Sequence, residues 1–117
     1  MRRRVALFGA ASVEQRKASP IFDVRAETDD ALALRAGAGD RAAAAILVDR
    51  HSGHIFALCR RMLGSDHAAE DATQETFLRL WRHVGRWRQR DAKFGTWLYK
   101  IASNVCIDTL RKSKRVA

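Results

Sequence analysis

Proline occurs once in these 117 residues, at Pro20, and tyrosine once, at Tyr99. No segment alternates apolar and polar residues over the length of a strand, so nothing in the pattern asks for a sheet. The only two cysteines, Cys59 and Cys106, are too few for a disulfide framework. Both fall at core or core-edge positions of helical patterns, which fits buried free thiols in a reducing cytoplasm. No run approaches the ~18 apolar residues of a membrane span, so no membrane insertion is expected. The opening "MRRRVALFGAAS" has a basic start, but its apolar stretch sits at the short limit of a signal peptide. Also missing are a Gly-rich phosphate loop, a nucleophile–base–orienter set and a pocketed carboxylate pair. The chain therefore reads as no enzyme, with no cofactor. His51 and His54 are three apart, with His67, His83 and Cys59 elsewhere. A metal needs three or four convergent ligands, and a hydrogen-bonded core histidine is the simpler reading of His51. A hydrolase built on these histidines would have to carry stoichiometric zinc.

What is present points to helices. Apolar residues make up 47% of the chain, and alanine supplies much of that share. The net charge is +9, and it is unevenly placed. Residues 1–78 hold eleven basic and eleven acidic residues, whereas residues 79–117 hold eleven basic residues and only Asp91 and Asp108 as acids. A neutral half joined to a basic half suggests a polyanion partner on one side. Nucleic acid leads, and an anionic membrane surface is the rival.

The expected architecture is all-α: three long helices and one short N-terminal helix in a small bundle, preceded by a flexible leader. Residues 1–27 show no apolar period and read as that leader. Thr28 or Asp29 caps a short helix over about 28–38, and Asp40 caps a long one over 40–63. The long helix carries the seam Ala44, Leu47, Val48, His51, Ile55, Leu58, Cys59 and Met62. Gly53 lies within it, where it could bend the helix or admit a close neighbour. Ser65 or Asp66 caps a helix over 66–84, whose seam is Thr73, Phe77, Leu80, Trp81 and Val84. Gly95-Thr96 opens the last, 96–113, with seam Leu98, Ile101, Ala102, Val105 and Thr109.

Two surfaces remain. On the third helix Asp71, Glu75, Leu78 and Arg82 form an outward stripe, with Gln74 at its edge. Solvent explains the acids but not Leu78, and an apolar residue ringed by polar ones fits a protein-docking spot. On the last helix the outward stripe reads Lys100, Asn104, Ile107, Asp108, Arg111 and Arg115, with Trp97 on the same side. Cations hold phosphate, and an Asn amide can read a base edge. The preceding loop mixes Trp87, Phe94 and Trp97 with Arg86, Arg88, Arg90 and Lys93. Aromatic faces among cations suit single-stranded nucleic acid, although one or two of these rings belong to a core.

The pieces "AEDATQETFLRLW" and "FGTWLYKIASNVCIDTLRK", in this order and spacing, resemble the second domain of bacterial RNA polymerase sigma factors. The extracytoplasmic-function (ECF) group is the most similar. The resemblance covers about residues 28–115 and implies a transcription initiation factor. The 66–84 helix would dock on the β′ clamp helices of the polymerase core through Asp71, Gln74, Glu75 and Leu78, with Arg82. The 86–95 loop and the last helix would melt the promoter −10 element and hold its non-template strand through Lys100, Asn104 and Arg111, with Trp97. An anti-sigma factor is a further implied partner. Family members continue through a linker into a helix-turn-helix domain, so residues 114–117 are expected to begin that linker. The alternative reading is a stand-alone nucleic-acid-binding module, held by an anti-sigma factor and lacking the polymerase contact.

Overall fold

A computed structural model describes residues 27–88 and 92–116. The leader expected over 1–27 therefore lies outside the described residues except for Glu27. Four α-helices follow in order: α1 (Asp29–Gly37), α2 (Arg41–Leu63), α3 (Asp66–His83) and α4 (Phe94–Val116). A 3-10 turn, Val84–Arg86, follows α3. No strand occurs among the described residues.

The starts of α1, α2 and α3 are set by local chemistry. A helix leaves its first four N–H groups without partners, and a side-chain oxygen just ahead of it can accept from one. The Thr28 hydroxyl accepts from Ala31 N–H at 3.1 Å, the Asp40 carboxylate from Ala43 N–H at 3.1 Å, and the Ser65 hydroxyl from Ala68 N–H at 3.0 Å. Asp40 also takes Nε and Nη2 of Arg35 at 2.9 and 2.6 Å, closing the α1–α2 corner. Burial alone would raise the Asp40 carboxyl. The Ala43 amide and the Arg35 guanidinium outweigh it and hold the group below its ordinary value. Gly64 ends α2 at φ 82°, a left-handed conformation that disfavours other residues. Only Gly64 and Ser65 separate α2 from α3, so the two helices pair antiparallel.

Leu32, Ile46, Leu47, Ile55, Leu80 and Leu98 are fully buried or nearly so and fill the centre of the bundle. Cys59 and Cys106 meet there, on α2 and α4. Burial and the neighbouring Cys59 push the Cys106 thiol up to about 12, so it stays protonated. Thr73 and Thr76 are buried too, and each hydroxyl donates at 2.7 Å to the carbonyl four residues earlier. α1 approaches the 3-10 turn closely: a Cβ on Gly37 would sit 3.1 Å from the Val84 carbonyl oxygen.

Three expected placements differ from the structure. Thr109 is exposed, because α4 runs on past the packed core; its hydroxyl turns back to the Val105 carbonyl at 3.0 Å. Gly53 is exposed, and a Cβ there would meet nothing within 4 Å, so it admits no close neighbour. α4 begins at Phe94, two residues before Thr96. Its Phe94 N–H donates to the Asp30 carboxylate on α1 at 2.9 Å. This cap comes from a residue 64 positions away, where no local reading could find it.

Asp30→Ala is expected to cost about 0.5–2 kcal/mol, the range for a lost N-cap. Denaturant unfolding gives the magnitude. Hydrogen exchange should locate it, with protection lost first in the opening turn of α4.

Candidate protein-docking and nucleic-acid surfaces

On α3 the inward face, Ala69, Ala72, Thr73, Thr76, Phe77 and Leu80, is buried against the bundle. The 3.6-residue period then sends Asp71, Gln74, Leu78 and Arg82 outward, and all four are exposed. Leu78 is 53% exposed, the highest value among the large apolar residues of the described segments. Its charged neighbours pair with one another. Glu75 accepts from Arg79 Nε at 3.0 Å and lies 3.8 Å from Arg82 Nη1. Asp71 lies 3.6 Å from His67 Nε2. The pairs Asp71–His67 and Glu75–Arg82 are long and solvent-exposed, so they are weak and can exchange for a partner's groups, whereas Glu75–Arg79 is part-buried.

Arg79 was absent from the expected stripe, although its i, i+4 spacing from Glu75 was readable. It reaches both ways, donating Nη2 to Asp108 on α4 at 3.2 Å. The hydrogen bond to Glu75 comes first in raising the Arg79 guanidinium above its ordinary value. Desolvation opposes the rise, and Asp108 adds to it.

On α4 the buried seam is Phe94, Leu98, Ala102, Val105 and Cys106. Lys100, Asn104, Ile107, Arg111 and Arg115 are exposed on the other side, so one face carries cations, an amide and an apolar group. Asp108 is half-buried and turned toward Arg79. Arg79, Asp108, Arg111, Lys112, Lys114 and Arg115 line one groove at the end of this face.

The loop before α4 departs most from a stacking surface. Trp87 is 4% exposed and Phe94 0%, so both rings are core residues. They meet edge to face, with centroids 6.0 Å apart, and Trp87 Nε1 donates to the Ala92 carbonyl at 3.0 Å. The reason is geometric: α4 starts at Phe94, which directs that ring inward and draws Trp87 over it. Trp97 is half-buried and stacks on Trp87 at 6.4 Å. Of the expected aromatics, it alone keeps a partly open face. Arg88 donates Nη1 to the carbonyls of Gly85 and Trp87, both at 2.9 Å, and so closes the 3-10 turn. Arg86 and Lys93 are exposed. Arg90 lies outside the described residues.

The histidines do not assemble. His51 Nε2 lies 2.8 Å from Asp29 and its ring 5.7 Å from that of Phe94, so it is a hydrogen-bonded, core-edge residue. Among the described residues no group of three or more His, Cys, Asp or Glu side chains could hold a metal, and no helix is long and apolar enough to cross a membrane.

Residues 47–116 match the sequence family described as Sigma-70 region 2. The chain is 46% identical over 76 residues to the ECF RNA polymerase sigma factor SigW of Bacillus subtilis (strain 168), covering 65% of this chain and 40% of that one. It is 37% identical over 70 residues to the ECF sigma factor SigE of Mycolicibacterium smegmatis, covering 60% of this chain and 26% of that one. This chain thus spans less than half the length of these relatives. Among solved structures it is similar to an engineered region 2 of sigmaE, determined by NMR in complex with GTAAAA. The TM-score is 0.69 at 32% identity, over 76% of this chain and 92% of that one.

Because Trp87 is a core residue here, Trp87→Ala should destabilise the fold by about 3–5 kcal/mol, as buried aromatic truncations do. Denaturant unfolding of the two single variants should show a smaller loss for the half-buried Trp97→Ala.

Proposed function

Since the chain belongs to the Sigma-70 region 2 family, we propose that it is a non-enzymatic transcription initiation module that joins RNA polymerase to the −10 element of a promoter. One observation carries this reading: two chemically different surfaces stand exposed on adjacent helices. On α3, Leu78 lies among Asp71, Gln74, Glu75 and Arg82; on α4, Asn104 lies between Lys100 and Arg111. The α3 face docks on the β′ clamp helices. Leu78 supplies the apolar contact, and Asp71 and Glu75 exchange their weak pairs with His67 and Arg82 for cations of the partner. An anti-sigma factor is the second protein partner we propose, and the cytoplasm is where these partners meet.

The α4 face takes the non-template strand. Lys100, Arg111 and Arg115 hold phosphates, and the Asn104 amide faces base edges. Arg86, Lys93 and the open face of Trp97 lie on the approach to it, as does Arg88 insofar as its ties to the 3-10 turn allow. Melting involves no covalent step. Unstacking a base costs a few kcal/mol, and stacking and hydrogen bonds to the protein offset that cost.

Two experiments test the two faces separately. Pull-down with a β′ clamp-helix fragment should weaken for Asp71→Lys and for Leu78→Ala, each by ~2 kcal/mol or more if these are central contacts. Undiminished capture by both variants would remove the docking assignment and favour the stand-alone nucleic-acid module.

For DNA, the expected pattern is crossed. Arg111→Ala should weaken single-strand binding alike for all sequences and lower the log–log salt slope by about 0.7, one lost phosphate contact. Asn104→Ala should leave the slope in place and cost on the order of 1–3 kcal/mol of preference among −10-like strands. A slope change with unchanged preference in Asn104→Ala would overturn the base-reading role.

A further inference from the structure

Asp108 is the one acid among the described residues of α4, and it stands inside the cationic stripe. Helical spacing sets it one turn from Asn104 on one side and one turn from Arg111 and Lys112 on the other. A carboxylate in that place repels phosphate and competes with it for the two cations. Its described ion pair is elsewhere: Arg79 Nη2 holds it from α3 at 3.2 Å. Arg79 is itself anchored, with Nε on Glu75 at 3.0 Å and its side chain about two-thirds buried. Neither Arg111 nor Lys112 has an ion pair with Asp108, although all four side chains line the same groove.

We infer that Arg79 is a positioning residue for DNA binding: it draws the Asp108 carboxylate against α3 and so leaves Arg111 and Lys112 open to phosphate. This rests on the proposed DNA role of the outer face of α4. The guanidinium suits the task because its fork serves two carboxylates at once in a fixed geometry, which an ammonium cannot do. With Arg79 removed, Asp108 is within reach of Arg111 and Lys112 and competes with DNA for both. With Asp108 also removed, no competitor is left and Arg79 becomes dispensable.

The whole chain carries the test, with Arg79→Gln, Asp108→Asn, the double variant and Arg79→Lys. Arg61→Gln, an exposed residue of α2, reports what a lost charge does by itself. The probes are a mixed-sequence single-stranded oligonucleotide at low salt and a heparin column, a polyanion without bases. Arg79→Gln should weaken oligonucleotide binding roughly three- to tenfold and elute earlier from heparin, because one repulsive charge is added and two phosphate contacts are contested. Arg79→Lys, with one charge but no fork, should fall between. Asp108→Asn alone should change binding by less than about twofold, since the carboxylate is already neutralised. The double variant should return to the wild-type value.

An equal loss from Arg79→Gln with and without Asp108 would make Arg79 a direct phosphate contact and overturn the inference. So would a strong tightening by Asp108→Asn alone, or a loss no greater than that of Arg61→Gln. If the wild-type protein fails to bind the oligonucleotide, the DNA role of α4 fails. The heparin order then judges Arg79 separately, and elution of Arg79→Gln level with Arg61→Gln would count against it.

Discussion

One hydrogen bond ties the first described helix to the last: the Phe94 amide donates to the Asp30 carboxylate, 64 residues earlier. The first N–H groups of a helix need an acceptor, and an uncapped start frays. By supplying the acceptor, α1 decides where α4 begins. It also decides which way Phe94 points, which buries Trp87 against it. The neighbouring Asp29 reinforces the joint, taking Arg50 Nη1 at 3.0 Å and His51 Nε2 at 2.8 Å on α2. Two adjacent acids on a nine-residue helix thus fasten α2 and α4 together at one end of the bundle. Along the rest of α4 the buried seam Leu98, Ala102, Val105 and Cys106 turns Lys100, Asn104 and Arg111 outward.

Once α4 is fixed, the distribution of charge becomes a matter of distance. The proposed docking face and the proposed DNA face lie on neighbouring helices, and Arg79 stands between them with a carboxylate on each side. Opposite charges at about 3 Å are coupled locally even where solvent screens the longer range. Along the chain the +9 excess falls in residues 79–117, which hold eleven basic and two acidic residues. Four of those eleven basic residues stand beyond Asp108, where α4 has left the core: Arg111, Lys112, Lys114 and Arg115, all exposed.

Burial sorts the aromatics in the same way. A loop that interleaves tryptophans with arginines has the composition of a stacking surface, yet a small bundle has few large apolar groups with which to close its open end. Trp87 and Phe94 close it, with 4% and 0% exposure. Trp97, half-buried, lies at the edge of the same cluster. The composition of the loop does not distinguish a ring that packs inward from one that faces solvent.

By itself the amino-acid sequence determined the helical class, the four helices of the described residues, the cap at Asp40, the candidate caps Thr28 or Asp29 and Ser65 or Asp66, the stop at Gly64 and the unequal charge of the two halves. These follow from short-range rules: a 3.6-residue period, a side-chain acceptor three residues ahead of an amide, a glycine that tolerates a positive φ. The same period placed Leu78 and Asn104 outward. Only the tertiary structure decided the start of α4, the burial of Trp87 and Phe94, the exposure of Thr109 and the reach of Arg79 to Asp108. Each depends on a group many residues away or on how far a neighbouring helix extends, and helical periodicity carries no information about either.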